Sequence, residues 1–360
     1  MKYPQLLDFP EVFKRRAEFD AIIDVRSPAE FAEDHIAHAI NCPVLDNEER
    51  IIVGTMYKQV GSFEAKRLGA ALVAKNIGRH IENLFQDKPR DWKPLIYCWR
   101  GGNRSGAMAH IFAKIGWPVV QLNGGYKAYR QFVNLSLGTE LQHFKWQVLC
   151  GPTGSGKSRC LQTLAEMGAQ VLDLEELAAH RGSVLGDIPE HAQPSQKQFE
   201  SHIFERLQGF DEQKIVYVEA ESKKIGNLRV PETLMQAMRA SGCIQVNLPL
   251  EKRVEFLVKE YAHFMRNTES LNQQLHFLTA LHGKEKISDW KQMAEAGKLT
   301  QLVKELLEHH YDPAYGKSIA RNFVGYSKAR QIEQNDIGES DFHESALHIL
   351  SFARQNPIDA

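Results

Sequence analysis

Cysteine is scarce in this chain, with five among 360 residues: Cys42, Cys98, Cys150, Cys160 and Cys243. They are odd in number, scattered, and form no CxxC pair, so neither a disulfide framework nor a sulfur-ligated zinc site is expected. Apolar runs of transmembrane length are missing, and the opening MKYPQLLDFPEVFKRR lacks a signal-peptide core. A reduced, soluble, cytoplasmic protein with no membrane partner is therefore expected. An excess of charge of either sign is also missing. With a formal net charge of -1, any nucleic acid must meet a local patch rather than a basic domain. There is no internal repeat and no low-complexity tract. What remains is ordinary globular composition, 43% apolar and 25% charged, in a chain long enough for two domains.

Short apolar strands alternate with helices over the first part of the chain. Strands are expected at 21–25, 94–97 and 118–122, with a helix starting at 28–33. That alternation predicts a parallel α/β sheet. The pattern resets near Leu135-Ser136-Leu137-Gly138. A second α/β unit then begins with a strand at 144–150 and continues through strands at 171–172, 214–218 and 243–248. From about residue 250 the tail, with EKRVEFLVKEYAHF and LTQLVKELLEHHY, is expected to be mostly helical. Two domains follow from this, over residues 1–138 and 139–360.

The first unit carries CWRGGNRS, Cys98 to Ser105, between an apolar strand and a helix. Such a loop can curl its backbone N–H groups around the sulfur, and the helix that follows points its positive end the same way. Arg100 and Arg104 add full charges. All three effects favour thiolate, so Cys98 is expected to be nucleophilic, with the same cradle binding an oxyanion. The spacing alone fits a rhodanese-type sulfurtransferase, a cysteine-dependent phosphatase, or a buried structural cysteine. Its surroundings separate them. DVRSPAEFAEDHIAHAIN, Asp24 to Asn41, and LNGGY, Leu122 to Tyr126, resemble rhodanese segments in the expected order. Asp24 and Arg26 read best as a buried brace, and Cys42, Cys160 and Cys243 as bystanders.

The second unit carries GPTGSGKS, Gly151 to Ser158, directly after a strand and before a helix. This is the G-x-x-x-x-G-K-[ST] phosphate loop. Backbone amides over Gly151, Thr153, Gly154, Ser155 and Gly156 can wrap a diphosphate, Lys157 can reach its oxygens, and Ser158 can hold a magnesium ion. Asp173, Glu219 and Glu221 are the candidate carboxylates for that ion. Glu219 stands where aspartate is more usual, which weighs against simple ATP hydrolysis. Arg181-Gly182-Ser183, Gln193 to Lys197, Lys223-Lys224 and Lys252-Arg253 are candidate substrate or phosphate contacts, with solvated surface charge as the alternative. The loop's spelling also resembles that of tRNA dimethylallyltransferases, which grip a prenyl diphosphate.

CWRGGNRS, LNGGY, GPTGSGKS and RGSVLGDIPEHAQPSQKQFES on one chain resemble the tRNA 2-selenouridine synthases. The resemblance implies a rhodanese-like parallel-sheet domain followed by a kinase-like P-loop domain. It implies a monomer acting on 2-thiouridine at the wobble position of tRNAs for Lys, Glu and Gln. Geranyl diphosphate and selenophosphate are the implied co-substrates, the latter from a supplying enzyme, and no tightly bound cofactor is implied. Lys157 would stabilise the diphosphate leaving group during S-geranylation. Cys98, aided by Arg100 and Arg104, would carry selenium as a selenosulfide that replaces the geranylthio group. The competing reading is a sulfurtransferase fused to an ATPase or kinase acting on a small molecule.

Overall fold

The computed structural model describes residues 3–183, 186, 188, 191–261 and 268–355. It divides into two compact units, Met1–Ser136 with Glu200–Glu205, and Leu137–Phe199 with Arg206–Ala360. Both are α/β.

The first unit holds a five-stranded parallel sheet of β1 (Gln5–Leu7), β2 (Ala21–Asp24), β3 (Ala39–Asn41), β4 (Pro94–Tyr97) and β5 (Val120–Leu122), in the order β1-β5-β4-β2-β3. Every residue of β4 and β5 is buried, as a parallel strand covered on both faces requires. In its core, Phe85 and Trp117 each meet Phe112 edge to face, as Trp92 meets Trp117, in one buried cluster with Ile23, Ile96 and Met108. Pro28 opens the helix Pro28–Glu33, with Ser27 and Glu30 closing a reciprocal cap at its start.

The second unit holds β6 (Lys145–Cys150), β7 (Gln170–Leu172), β8 (Ile215–Glu219), a short hairpin of β9 (Lys224–Ile225) and β10 (Leu228–Arg229), then β11 (Gly242–Asn247) and β12 (Gly325–Glu333). Apart from the hairpin these form one parallel sheet, β12-β11-β6-β8-β7. The helical tail expected after residue 250 is thus interrupted. β12 adds a nine-residue polar edge strand, GYSKARQIE, in which only Ile332 is buried. Its charged Lys328, Arg330 and Glu333 suit an edge facing water. The helix Leu250–Glu260 is present, while Ala262, His263 and Phe264 of the expected segment lie outside the described residues. Among the described residues, no helix is long and apolar enough to cross a membrane.

Candidate functional site

In the first unit, Cys98 sits where β4 ends at the middle of the sheet, and its loop feeds the helix Asn103–Ile115. The loop is held from behind by LNGGY. Tyr126 N–H donates to the Cys98 carbonyl at 2.8 Å, and Lys127 N–H to the Trp99 carbonyl at 3.0 Å. Gly125 has φ +57°, and a Cβ there would run into the Cys98 carbonyl and the Gly101 nitrogen. Only glycine allows that approach. Cys98 is buried, and its sulfur accepts a hydrogen bond from Ser105 Oγ at 3.2 Å. Ser105 in turn accepts from Gln121 Nε2 at 3.2 Å, and the same amide donates to the Gly101 carbonyl at 2.7 Å. Ser105 and Gln121 escaped the sequence reading; each lies within a quoted stretch or immediately before one.

The arginines are placed otherwise than expected. Arg104 forks onto Glu30, Nη1 to Oε2 at 2.6 Å and Nη2 to Oε1 at 3.1 Å, so its charge is spent on a carboxylate rather than on the sulfur. Burial pushes the Glu30 carboxyl up, but the Arg104 bond and charge outweigh that and hold it below its ordinary value. Arg100 is exposed at the lip of the loop. Within the Asp24 to Asn41 segment, Asp24, Arg26 and Asn41 hold one another and the backbone. Buried Arg26 clasps buried Asp24 with contacts of 2.6–3.0 Å and donates to the Asp34 carbonyl. Asn41 Nδ2 ties the Asp24 and Arg26 carbonyls together. Removing one member of such a buried pair costs ~3–5 kcal/mol.

In the second unit, the phosphate loop links β6 to the helix Lys157–Glu166. Gly151, Gly154 and Gly156 all have positive φ, and side chains there would strike the Val246 carbonyl, Leu257 and Phe342 respectively. Lys157 Nζ donates to the Gly151 carbonyl at 2.8 Å and lies 5.7 Å from the Tyr315 ring centre. Tyr315 OH accepts the Gly151 N–H at 2.6 Å. Arg253, a candidate phosphate contact, is buried instead. It braces the loop from below, donating to the Thr153 carbonyl at 2.9 Å while forking onto Asp312. Lys252 pairs with Asp336, and Lys223 with Glu232.

Beyond the loop, carboxylate oxygens of Glu175, Glu219 and Glu221 lie within 4.8 Å of one another. Ser158 Oγ donates to Glu175 at 3.2 Å and to Glu219 at 3.4 Å. Asp173 lines the same cavity, but its oxygen caps the helix Leu174–Ala178 through the Glu176 N–H at 2.9 Å. Glu175, unforeseen from the sequence, takes the place expected for it. Burial, then the neighbouring carboxylates, pushes Glu175 and Glu221 each up to about 8 and Glu219 well above its ordinary range. One oxygen of Glu219 is buried with no hydrogen-bond partner among the described residues. Clustered carboxylates, an orphaned oxygen and a serine hydroxyl form a hard, all-oxygen donor set, which fits a magnesium ion. Arg181, Gly182 and Ser183 line this cavity too. Val184, Leu185, Asp187, Pro189 and Glu190 of that segment lie outside the described residues. Gln193 instead ties the Ala178 and Ile225 carbonyls together.

Residues 9–132 match the family described as rhodanese-like domain, and residues 144–286 match that described as tRNA 2-selenouridine synthase AAA domain. Among individual relatives, a tRNA 2-selenouridine synthase of Sulfurovum sp. is 31% identical, over 89% of this chain and 93% of its own length. Another, of Nitrosomonas europaea, is 36% identical over 67% of this chain and 63% of its own length, so that match spans less than two thirds of the relative. A third, of Hydrogenovibrio crunogenus, is 35% identical over 72% of each.

Proposed function

The chain belongs to the tRNA 2-selenouridine synthase family, and from that premise we propose that it replaces the sulfur of wobble 2-thiouridine in tRNA with selenium. The observation that carries this reading is the pairing, on one chain, of a buried cysteine at an anion-binding loop with a complete diphosphate-binding loop. The first step is S-geranylation. The thiocarbonyl sulfur attacks the allylic carbon of geranyl diphosphate, the carbon–oxygen bond breaks, and diphosphate leaves with the electron pair. Lys157 and the loop amides stabilise the charge on that leaving group. Ser158, Glu175, Glu219 and Glu221 would hold a magnesium ion, which when bound supplies further neutralising charge.

The second step belongs to Cys98. Alkylation makes C2 of the base electrophilic and geranylthiol a good leaving group. Selenophosphate carries selenium at the selenide level, whereas a selenosulfide on Cys98 would hold it two electrons higher and require an oxidant. The balanced route has the Cys98 thiolate attack phosphorus, with the phosphorus–selenium bond breaking and selenide leaving. Selenide then adds at C2, geranylthiol departs, and water returns the phosphoryl group from Cys98 as phosphate. Ser105, donating to the sulfur, and exposed Arg100 support the anion. The enzyme acts as a cytoplasmic monomer on tRNAs for Lys, Glu and Gln, supplied with selenophosphate by a partner enzyme.

Nucleoside mass spectrometry of 2-thiouridine tRNA, incubated with geranyl diphosphate and selenophosphate, tests the reading. Formation of 2-selenouridine is the expected result. Its absence, with thiosulfate sulfurtransferase activity or RNA-independent ATP turnover in its place, would favour the small-molecule alternative.

A further inference from the structure

The phosphate loop opens into a cavity of about 730 Å³ whose two sides differ in chemistry. One side is the loop itself with Lys157, Ser158 and the carboxylates. Much of the remaining lining is carbon, Phe256, Leu257 and Tyr261 on one stretch of chain and Tyr315, Ile319 and Phe323 on another, with the charged Arg181 and Glu260 also present. The hydroxyls on this wall are turned to protein partners. Tyr315 OH takes the Gly151 N–H, and Tyr261 OH shares a hydrogen bond with Ser183 Oγ at 3.4 Å. Arg181 lies over the Tyr261 ring at 5.1 Å, and Lys157 over that of Tyr315 at 5.7 Å. The two sides meet at Tyr315, whose ring lies beside the Lys157 amine. A molecule with a diphosphate in the loop would therefore run directly onto aromatic and aliphatic surface, which rewards an apolar chain.

We propose that this wall is the subsite for the hydrocarbon chain of an allylic diphosphate, with Tyr315 at the end nearest the phosphates. The proposal rests on the prenyl-transfer reading above but concerns binding alone. Ala314 and Ser318 line the cavity from exposed positions on the helix Asp312–Asn322, so bulk can be added there without filling the core.

The test is calorimetric titration of the full chain with magnesium and without tRNA, using inorganic diphosphate, dimethylallyl diphosphate, geranyl diphosphate and ADP. Affinity should rise by at least about tenfold with each five-carbon unit. Ala314→Trp should weaken geranyl diphosphate by about tenfold or more while leaving inorganic diphosphate within about threefold. Ser318→Leu is the second variant should the first not fold. Equal affinity for inorganic and geranyl diphosphate would overturn the subsite, as would tighter binding of ADP or equal losses for both ligands in the folded variants. Chain-length-dependent binding without geranylation of tRNA would sink the reaction reading and leave the subsite standing. Geranylation with binding blind to chain length would do the reverse.

Discussion

The carboxylate cluster makes a quantitative prediction about stability. Glu175 and Glu221 stand at about 8 in the folded protein against 4.5 when exposed, and burial also raises Glu219 well above 4.5. A rise of that size is worth ~5 kcal/mol for one group at 1.36 kcal/mol per tenfold. The three share one field, and protonating one relieves the others, so the cluster is worth at most about the shift of one group, ~5 kcal/mol, rather than three times that. Below pH 4.5 both folded and unfolded chains hold these protons. Between 4.5 and 8 the unfolded chain loses them and the folded one keeps them, so stability falls as pH rises through that window. In the metal-free protein, the melting temperature should drop by up to ~10–20 °C between pH 5 and 8.5 on this account. Magnesium should restore more of it at pH 8 than at pH 5.5, because the ion competes with the protons. Glu219→Gln should flatten both the pH slope and the magnesium effect, whatever it does to the absolute value. The same slope in wild type and Glu219→Gln would refute the reasoning, as would equal stabilisation by magnesium at both pH values.

Three shorter predictions concern the chemistry. Cys98→Ala should abolish selenation, while Cys42→Ala and Cys160→Ala, whose thiols burial pushes up to about 12, should retain it; nucleoside mass spectrometry decides. Lys157→Ala should slow geranylation by about 10²–10³ yet still selenate tRNA supplied already geranylated, and Cys98→Ala should instead accumulate S-geranyl-2-thiouridine; failure of both variants at one step would contradict the division of labour. Mass analysis of the Cys98 peptide after selenophosphate alone should show a phosphoryl adduct, and a selenium adduct there would rule out the redox-neutral route.

Much of this was legible in the sequence for a simple reason: buried parallel strands read as unbroken apolar runs. Residues 94–97 and 171–172 are such runs, and they fall in β4 and β7. The misses are equally physical. β1 and β3 are the edge strands of their sheet with at most one buried residue each, so neither makes an apolar run, and β12 is a charged edge with one buried side chain. At the sites, loops that carry their own function are local in sequence, so Cys98 and Gly151 to Ser158 stand out. Partners brought from afar do not. Glu30 lies 74 residues from Arg104, and without it that arginine's charge reads as meant for the sulfur. Glu175 sits in Leu174-Glu175-Glu176, where acids at a helix start look like ordinary dipole partners.

The two cradles share a plan, strand to loop to helix, yet their electrostatics oppose each other, and this gives a physical reason for building them apart. Carboxylates crowded around a phosphate loop raise one another and are useful only when a cation compensates them. A thiolate set among them would be raised in the same way and protonated out of use. Around Cys98 the arrangement is the opposite. The group bonded to the sulfur is a neutral hydroxyl, Ser105, and the acid that the loop's Arg104 meets, Glu30, is neutralised by it. On this view Arg104 does serve the cysteine, though not by touching it: it cancels a negative charge that would otherwise oppose both the thiolate and an incoming selenophosphate. Neutralising Glu30 and Arg104 together should then disturb selenation less than removing Arg104 alone. Selenation rates of Arg104→Ala, Glu30→Gln and the double variant measure the coupling, and strict additivity would show that the arginine acts independently of its carboxylate.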